Sequence, residues 1–175
     1  DGALTQSTAF KYTVISTTKP IASLLTLKKS ETFYQGGKGD EKSDFTNNYK
    51  ANGLDIDTVT TYFYHVDATH NFENAVNANA DSYMTRSNTL RYSDSSTKQI
   101  SYYTGTESGE EAIDWSQEYN YDGLLVKTTT IYERDGSGAL TKSTAFKYTV
   151  ISTTKPIASL LTLKKSETFY QGGKG

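Results

Sequence analysis

The sequence predicts an all-β protein, antiparallel and built as a tandem array. Three observations lead there. Residues 2–39 recur as residues 138–175 with one change, Gln6 to Lys142, at an offset of 136 positions. Self-similarity at a fixed period is the mark of repeat architectures. The composition suits strands: 14 Tyr, 7 Phe and 1 Trp accompany abundant Thr and Ser, residue types that fit a pleated, half-buried surface. Finally, apolar and polar residues alternate at period two between turns rich in Gly, Asn and Asp.

Read in order, the first strand is expected over about 3–16, with Leu4, Phe10, Tyr12 and Val14 on one face and Thr5, Ser7, Lys11 and Thr13 on the other. Pro20 opens the second, over about 21–35, a strand-start position that tolerates the missing N–H. Its Leu24, Leu25 and Leu27 also allow a short helix with Pro in the first turn; a strand is the preferred reading. Gly36, Gly37, Lys38 and Gly39 then make a turn, and a third strand follows over about 41–50 with Phe45 and Tyr49. Asn52-Gly53 supplies a hairpin turn. The fourth strand, about 54–66, alternates Leu54, Ile56, Thr60, Tyr62 and Tyr64 against Asp55, Asp57 and Thr61.

Residues 67–81 break that rhythm. Phe72, Ala75, Val76 and Ala80 have helical spacing, which predicts a short helix or an ordered loop. Strands resume over about 82–93, 98–104, 111–121 and 124–134, giving eight per period at roughly 17 residues for each strand and turn, within ordinary strand dimensions.

The period is itself a doublet. Residues 4–13 align with 84–93, Phe33-Tyr34 with Tyr102-Tyr103, and Asp44-Phe45…Tyr49…Asn52-Gly53-Leu54 with Asp114-Trp115…Tyr119…Asp122-Gly123-Leu124. This divides the chain into a first four-stranded unit, 1–81, carrying the extra loop or short helix 67–81; a second unit, 82–136; and the start of the next repeat, 137–175, a copy of 1–39. Each strand has one apolar face, so each unit must cover one side of its sheet. Two units face to face give a β-sandwich or barrel; stacking on neighbours gives a ribbon or solenoid. The expected core is Phe10, Tyr12, Phe45, Trp115 and Tyr119.

Composition removes several function classes. With 18 basic and 20 acidic residues the net charge is −2, which argues against an electrostatic grip on nucleic acid or anionic membrane. Cysteine is absent, so there is no disulfide, thiolate ligand or Cys nucleophile. No apolar run approaches the roughly 18 residues of a membrane helix.

Candidate chemistry is sparse. His65, Asp67 and His70 have the residue types of an N/O metal site, but polar residues at a strand end are the preferred reading. Asn77, Asn79, Asp81 and Ser82 alternate oxygen ligands as calcium loops do, without the following Gly or the downstream Glu. The acidic pairs Asp55/Asp57 and Glu110/Glu111 read better as edge charges than as glycosidase acids. Gly36-Gly37-Lys38-Gly39 precedes no helix and is not a phosphate loop. The sequence therefore assigns no catalytic, cofactor-binding or metal-ligating residue, and no enzyme is expected.

Tyrosines bracket the strands in a recurring phrase: Tyr49-x-x-Asn52-Gly53-Leu54…Tyr62, Tyr119-x-Tyr121-Asp122-Gly123-Leu124…Tyr132 and Tyr132-x-x-Asp135-Gly136…Leu140…Tyr148. The phrase resembles the tyrosine–aspartate (YD) repeats of Rhs-type and teneurin-type surface proteins. That resemblance implies an extended β-sheet protein of the cell envelope or exterior. Only Tyr121-Asp122 gives the Tyr-Asp pair itself, with its Gly directly following. The functional expectation is a repeating segment of an extracellular or cell-surface fibre or adhesin stalk whose partners are neighbouring copies of itself. A glycan- or surface-binding β module and a shell segment of an Rhs-like toxin-delivery protein are the alternatives.

Overall fold

The computed structural model describes residues 2–11 and 17–171. Tyr12, Val14 and the rest of the first strand to Ser16, and the second glycine turn at Gly172 to Gly175, lie outside the described residues. Eleven strands form one open antiparallel sheet: β1 (Gln6–Phe10), β2 (Lys28–Gln35), β3 (Lys42–Tyr49), β4 (Ile56–His65), β5 (Glu73–Asn74), β6 (Tyr83–Arg91), β7 (Thr97–Thr104), β8 (Ala112–Tyr119), β9 (Val126–Arg134), β10 (Leu140–Phe146) and β11 (Lys164–Phe169). The ten longer strands lie side by side in chain order, and the two-residue β5 pairs with the end of β4. Short 3-10 turns occupy Ala22–Leu24, Ala75–Asn77 and Ala158–Leu160.

Equivalent strand pairs carry their β-bulges at equivalent places. In β2–β3 the register shifts between Phe33 and Tyr34, and in β7–β8 between Tyr102 and Tyr103. In β3–β4 it shifts between Asn48 and Tyr49, and in β8–β9 between Glu118 and Tyr119. A bulge adds local twist and re-aims the side chains beyond it, so matched bulges keep matched residues on matched faces. β1–β2 and β10–β11 agree position by position, from Gln6↔Phe33 and Lys142↔Phe169 to the shift at Phe10 and at Phe146.

The two faces differ as period-two alternation requires. One bears cross-strand aromatics: Phe33 stacks on Phe45 at 4.6 Å and Tyr102 on Trp115 at 4.1 Å. Such pairs add about 0.5–1.5 kcal/mol beyond the area they bury. Arg86 continues this face, its guanidinium between the rings of Phe63 (4.4 Å) and Phe72 (4.5 Å); burial pushes its ionisation below the usual arginine range. The other face is a hydroxyl lattice. Thr32 bonds Thr46 at 2.8 Å, Thr46 bonds the Tyr62 hydroxyl at 3.0 Å, and Thr60 bonds Thr89 at 2.9 Å. Ser7–Tyr34, Ser87–Tyr103 and Ser143–Tyr170 form the same serine–tyrosine bond three times, at 2.9, 3.2 and 3.1 Å.

Turn chemistry fixes the edges of each unit. Glu41 accepts the amides of Leu4 and Gly39, as Glu111 accepts those of Met84 and Gly109. One carboxylate thereby ties a turn glycine to a residue at or just before the start of a strand two places away. Gly53 and Gly123 have φ of +69° and +74°, and a Cβ on either would sit 2.7 Å from the Leu27 Cα or 2.6 Å from the Thr97 amide nitrogen. Only glycine lets those turns lie against the start of β2 and of β7.

Two expectations are corrected. The second strand does not run from Ile21: the chain makes its 3-10 turn first and the strand begins at Lys28, because Pro20 and the Leu-rich run favour a turn. Leu54 is not on a core face; it and its counterpart Leu124 are 76% and 70% exposed in the hairpin turns. The break expected at 67–81 as a short helix or an ordered loop is a tight Asp67–His70 turn, β5 and a 3-10 turn with Ala75 buried. As for closure, the ten longer strands lie side by side in one open sheet, and no second sheet faces it among the described residues.

Candidate self-association interface

The best-covered part of the sheet lies where β10 and β11 join the strands before them. β10 pairs with β9 from Leu140↔Arg134 to Phe146↔Thr129. The connection 147–163 then crosses the aromatic face before β11 begins. Seventeen residues between adjacent antiparallel strands far exceed a hairpin loop, and their backbone polar groups need partners. β7, β8 and β9 supply them. Gln117, with no exposed surface, donates from Nε2 to the Val150 carbonyl at 2.8 Å and to Thr129 Oγ1 at 3.1 Å, while its Oε1 accepts the Ser152 amide at 3.0 Å. Thr129 Oγ1 donates to the Tyr148 carbonyl at 3.0 Å.

Under this clamp Tyr102, Trp115, Ile131 and Phe146 form a buried cluster, with Ile100, Tyr148 and Leu161 packed against it. Tyr102 donates its hydroxyl to the Ser152 carbonyl at 3.4 Å, and burial pushes its phenol above the usual tyrosine value. Lys155 pairs with Asp114 at 2.6 Å, and Lys142 with Glu133 at 2.9 Å. The Glu133 carboxylate beside it raises the Lys142 ammonium above its ordinary value. Chemically the arrangement does one thing: it holds a specific extended segment by main-chain bonds and aromatic burial.

The expected core residues fall in different places. Trp115 and Tyr119 are 3% and 5% exposed, whereas Phe45 and Phe10 are only half-buried. Gln117, Thr129 and Thr144 are fully buried; alternation places them on the face of Trp115, Ile131 and Phe146, but their polar side chains kept them out of the expected core. The usable signal was the length of the segment after Phe146, too long and too proline-marked to be strand throughout.

The other candidates are drawn into local structure. His70 Nδ1 lies 2.8 Å from Asp67, while His65 Nδ1 meets Asn71 at 3.1 Å and its ring stacks on Tyr83. The structure does not bring the two histidines onto one ligand point, and no group of three or more His, Asp or Glu gathers as a metal-ligand set among the described residues. Asp67 lies well below the usual carboxylate range, held there first by the Thr69 hydroxyl, then by the Thr69 amide and His70. Asn79 Oδ1 accepts the Asp81 amide and the Ser82 hydroxyl, and Asn77 donates to Glu73, so these residues build the turn into β6. Asp55 accepts from Asn52, and Asp57 lies 3.5 Å from Lys98. Tyr121 of the Tyr-Asp pair is 77% exposed, and Asp122 caps the Leu124 amide at 2.8 Å. No helix among the described residues is long and apolar enough to cross a membrane.

Neither a family model, nor a curated protein, nor a solved structure matches the chain.

Proposed function

We propose that this chain is a repeating segment of an extracellular fibre or adhesin stalk, in which successive 136-residue periods join through the interface just described. One observation carries the reading. The β10–β11 hairpin, a near-copy of β1–β2 in sequence and register, sits against β9 at the position where a further period begins. Identical units present identical contacts, so the joint can recur without limit along one axis. Its chemistry is main-chain pairing and packing, which needs no bound group. The partners in this reading are neighbouring repeats, and kinship with YD-repeat surface proteins belongs to the same proposal.

If periods continue as one ribbon, the eight long strands of each advance the sheet by about 38 Å, at roughly 4.8 Å per strand. Electron microscopy of the native material should show filaments with that axial repeat. A clearly shorter repeat would mean that the units fold over one another as a sandwich. Compact, unconnected particles would overturn the fibre reading.

The alternative, a glycan-binding module, is favoured by a recess of about 750 Å³ at the ends of β7, β8 and β9, lined by Tyr103, Glu110, Glu111 and Arg134. Saccharide binding by an unassembled chain, abolished by Tyr103→Ala, would support it.

A further inference from the structure

The β1–β2 hairpin has the same internal bonds as β10–β11, although only the latter lies beside β9. The Lys11 amide donates to the Leu27 carbonyl at 2.8 Å and the Lys147 amide to the Leu163 carbonyl at 2.7 Å. The Tyr34 amide donates to the Thr5 carbonyl at 3.0 Å and the Tyr170 amide to the Thr141 carbonyl at 2.9 Å. Bulge and serine–tyrosine bond coincide as well. The pairing of the two strands is therefore set by their own sequence, and it is pre-organised for a partner strand, which lowers the cost of docking.

What separates the copies is cover. Ser143, Thr144 and Phe146 are buried, whereas Ser7 is exposed and Thr8 and Phe10 are only half-buried. β1 carries no charged residue. It keeps the residues that, in β10, meet β9: Ser143↔Tyr132, Thr144↔Ile131, Ala145↔Thr130 and Phe146↔Thr129.

We infer that the β9 edge, with the face formed by Tyr102, Trp115 and Gln117, accepts the β1–β2 hairpin of a second copy of this chain in place of its own β10–β11, joining chains head to tail by hairpin exchange. This rests on the reading of the joint as the functional element. The occupant follows from sequence identity: residues 7–39 repeat residues 143–175 without change, so the connection that would cross Trp115 is the one that crosses it now. Position 142 then sets the preference. Lys142 meets Glu133 at 2.9 Å, while the incoming hairpin offers the neutral Gln6. The lysine, together with the high local concentration of an attached segment, holds the chain's own hairpin in place.

The test is Lys142→Glu in the full chain, followed by analytical ultracentrifugation from micromolar to millimolar concentration. Losing a cross-strand ion pair and placing like charges opposite one another should shift the equilibrium toward exchanged dimers and longer species by about tenfold. The double variant K142E/E133K, with the pair restored in reverse, should return to the behaviour of the unaltered chain. Emission of Trp115, the only tryptophan, separates exchange, which keeps the ring covered, from simple loss of the hairpin, which exposes it. Because the chain has no cysteine, A9C/T130C offers a trap: oxidation should give a ladder of disulfide-linked chains, while A145C/T130C closes within one chain. A K142E chain that stays monomeric throughout, with only monomers from A9C/T130C when the control closes, overturns the exchange. Filaments in native material alongside that result would leave the covalent array standing; exchange without native filaments would do the reverse.

Discussion

Gln117→Leu asks how firmly the connection 147–163 is held. Leucine has a similar volume, so the substitution removes three hydrogen bonds while keeping the site filled: those to Val150, Thr129 and Ser152. Each is worth roughly 0.5–1.5 kcal/mol net. The Val150 carbonyl belongs to an exposed residue and can regain water. Thr129 keeps its bond to the Tyr148 carbonyl. The half-buried Ser152 amide loses its acceptor outright. The expected cost is therefore about 2–4 kcal/mol, concentrated in the connection. Urea unfolding followed by Trp115 fluorescence reads the global effect, and amide exchange at Ser152 reads the local one. Exchange at Ser152 should accelerate by at least tenfold, since every 1.4 kcal/mol is a factor of ten when opening is local. Unchanged protection at Ser152, with an unchanged unfolding midpoint, would refute the clamp.

Two further outcomes can be checked independently. Gly53→Ala and Gly123→Ala should each cost more than about 3 kcal/mol, because a left-handed backbone penalty adds to a Cβ driven against backbone. Gly109→Ala, with φ of +86° and open space around the new methyl, should cost only about 1–2 kcal/mol, and chemical denaturation of the three variants measures the gap. In the 67–70 turn, the Asp67 carboxylate raises the His70 imidazolium above its ordinary value; Asp67→Asn should bring it back, as read by proton NMR titration. The raised His70 supports the turn fully below its unfolded value near 6.5 and loses that support as pH rises through the folded value. The depressed Asp67 supports it above about 3.8 and loses that support only as pH falls through its folded value. Turn protection should accordingly peak between about pH 4 and 6.5.

The strands from Lys42 onward were legible because alternation and turn chemistry agree there: Asn52-Gly53, Glu107-Ser108-Gly109 and Asp122-Gly123 each stop a strand within two or three residues of its observed end. Where Phe33-Tyr34 aligns with Tyr102-Tyr103 in sequence, the bulges fall at matching places too. The first strand expected over about 3–16 implies a copy over about 139–152, whereas β10 ends at Phe146. Local alternation persists through Tyr148 and Val150, and only the demand of their backbone for partners on Gln117 and Thr129 takes them across the sheet. Leu54 misled for the opposite reason, since an apolar side chain beside an Asn-Gly turn has no neighbouring strand to cover it.

The sequence by itself determined that this chain is all-β, which residues turn it, and that its opening segment is written twice. These are local matters of propensity, backbone φ and period. Tertiary structure alone decided that the strands lie side by side in one open sheet and that residues 147–163 lie over Trp115. It also decided that Gln117 and Thr129, polar residues on the face of Trp115, are fully buried beneath that segment. Alternation assigns residues to faces but is silent about what will cover a face. That depends on which distant backbone arrives with unpaired amides and carbonyls, a long-range event that no period within the chain encodes.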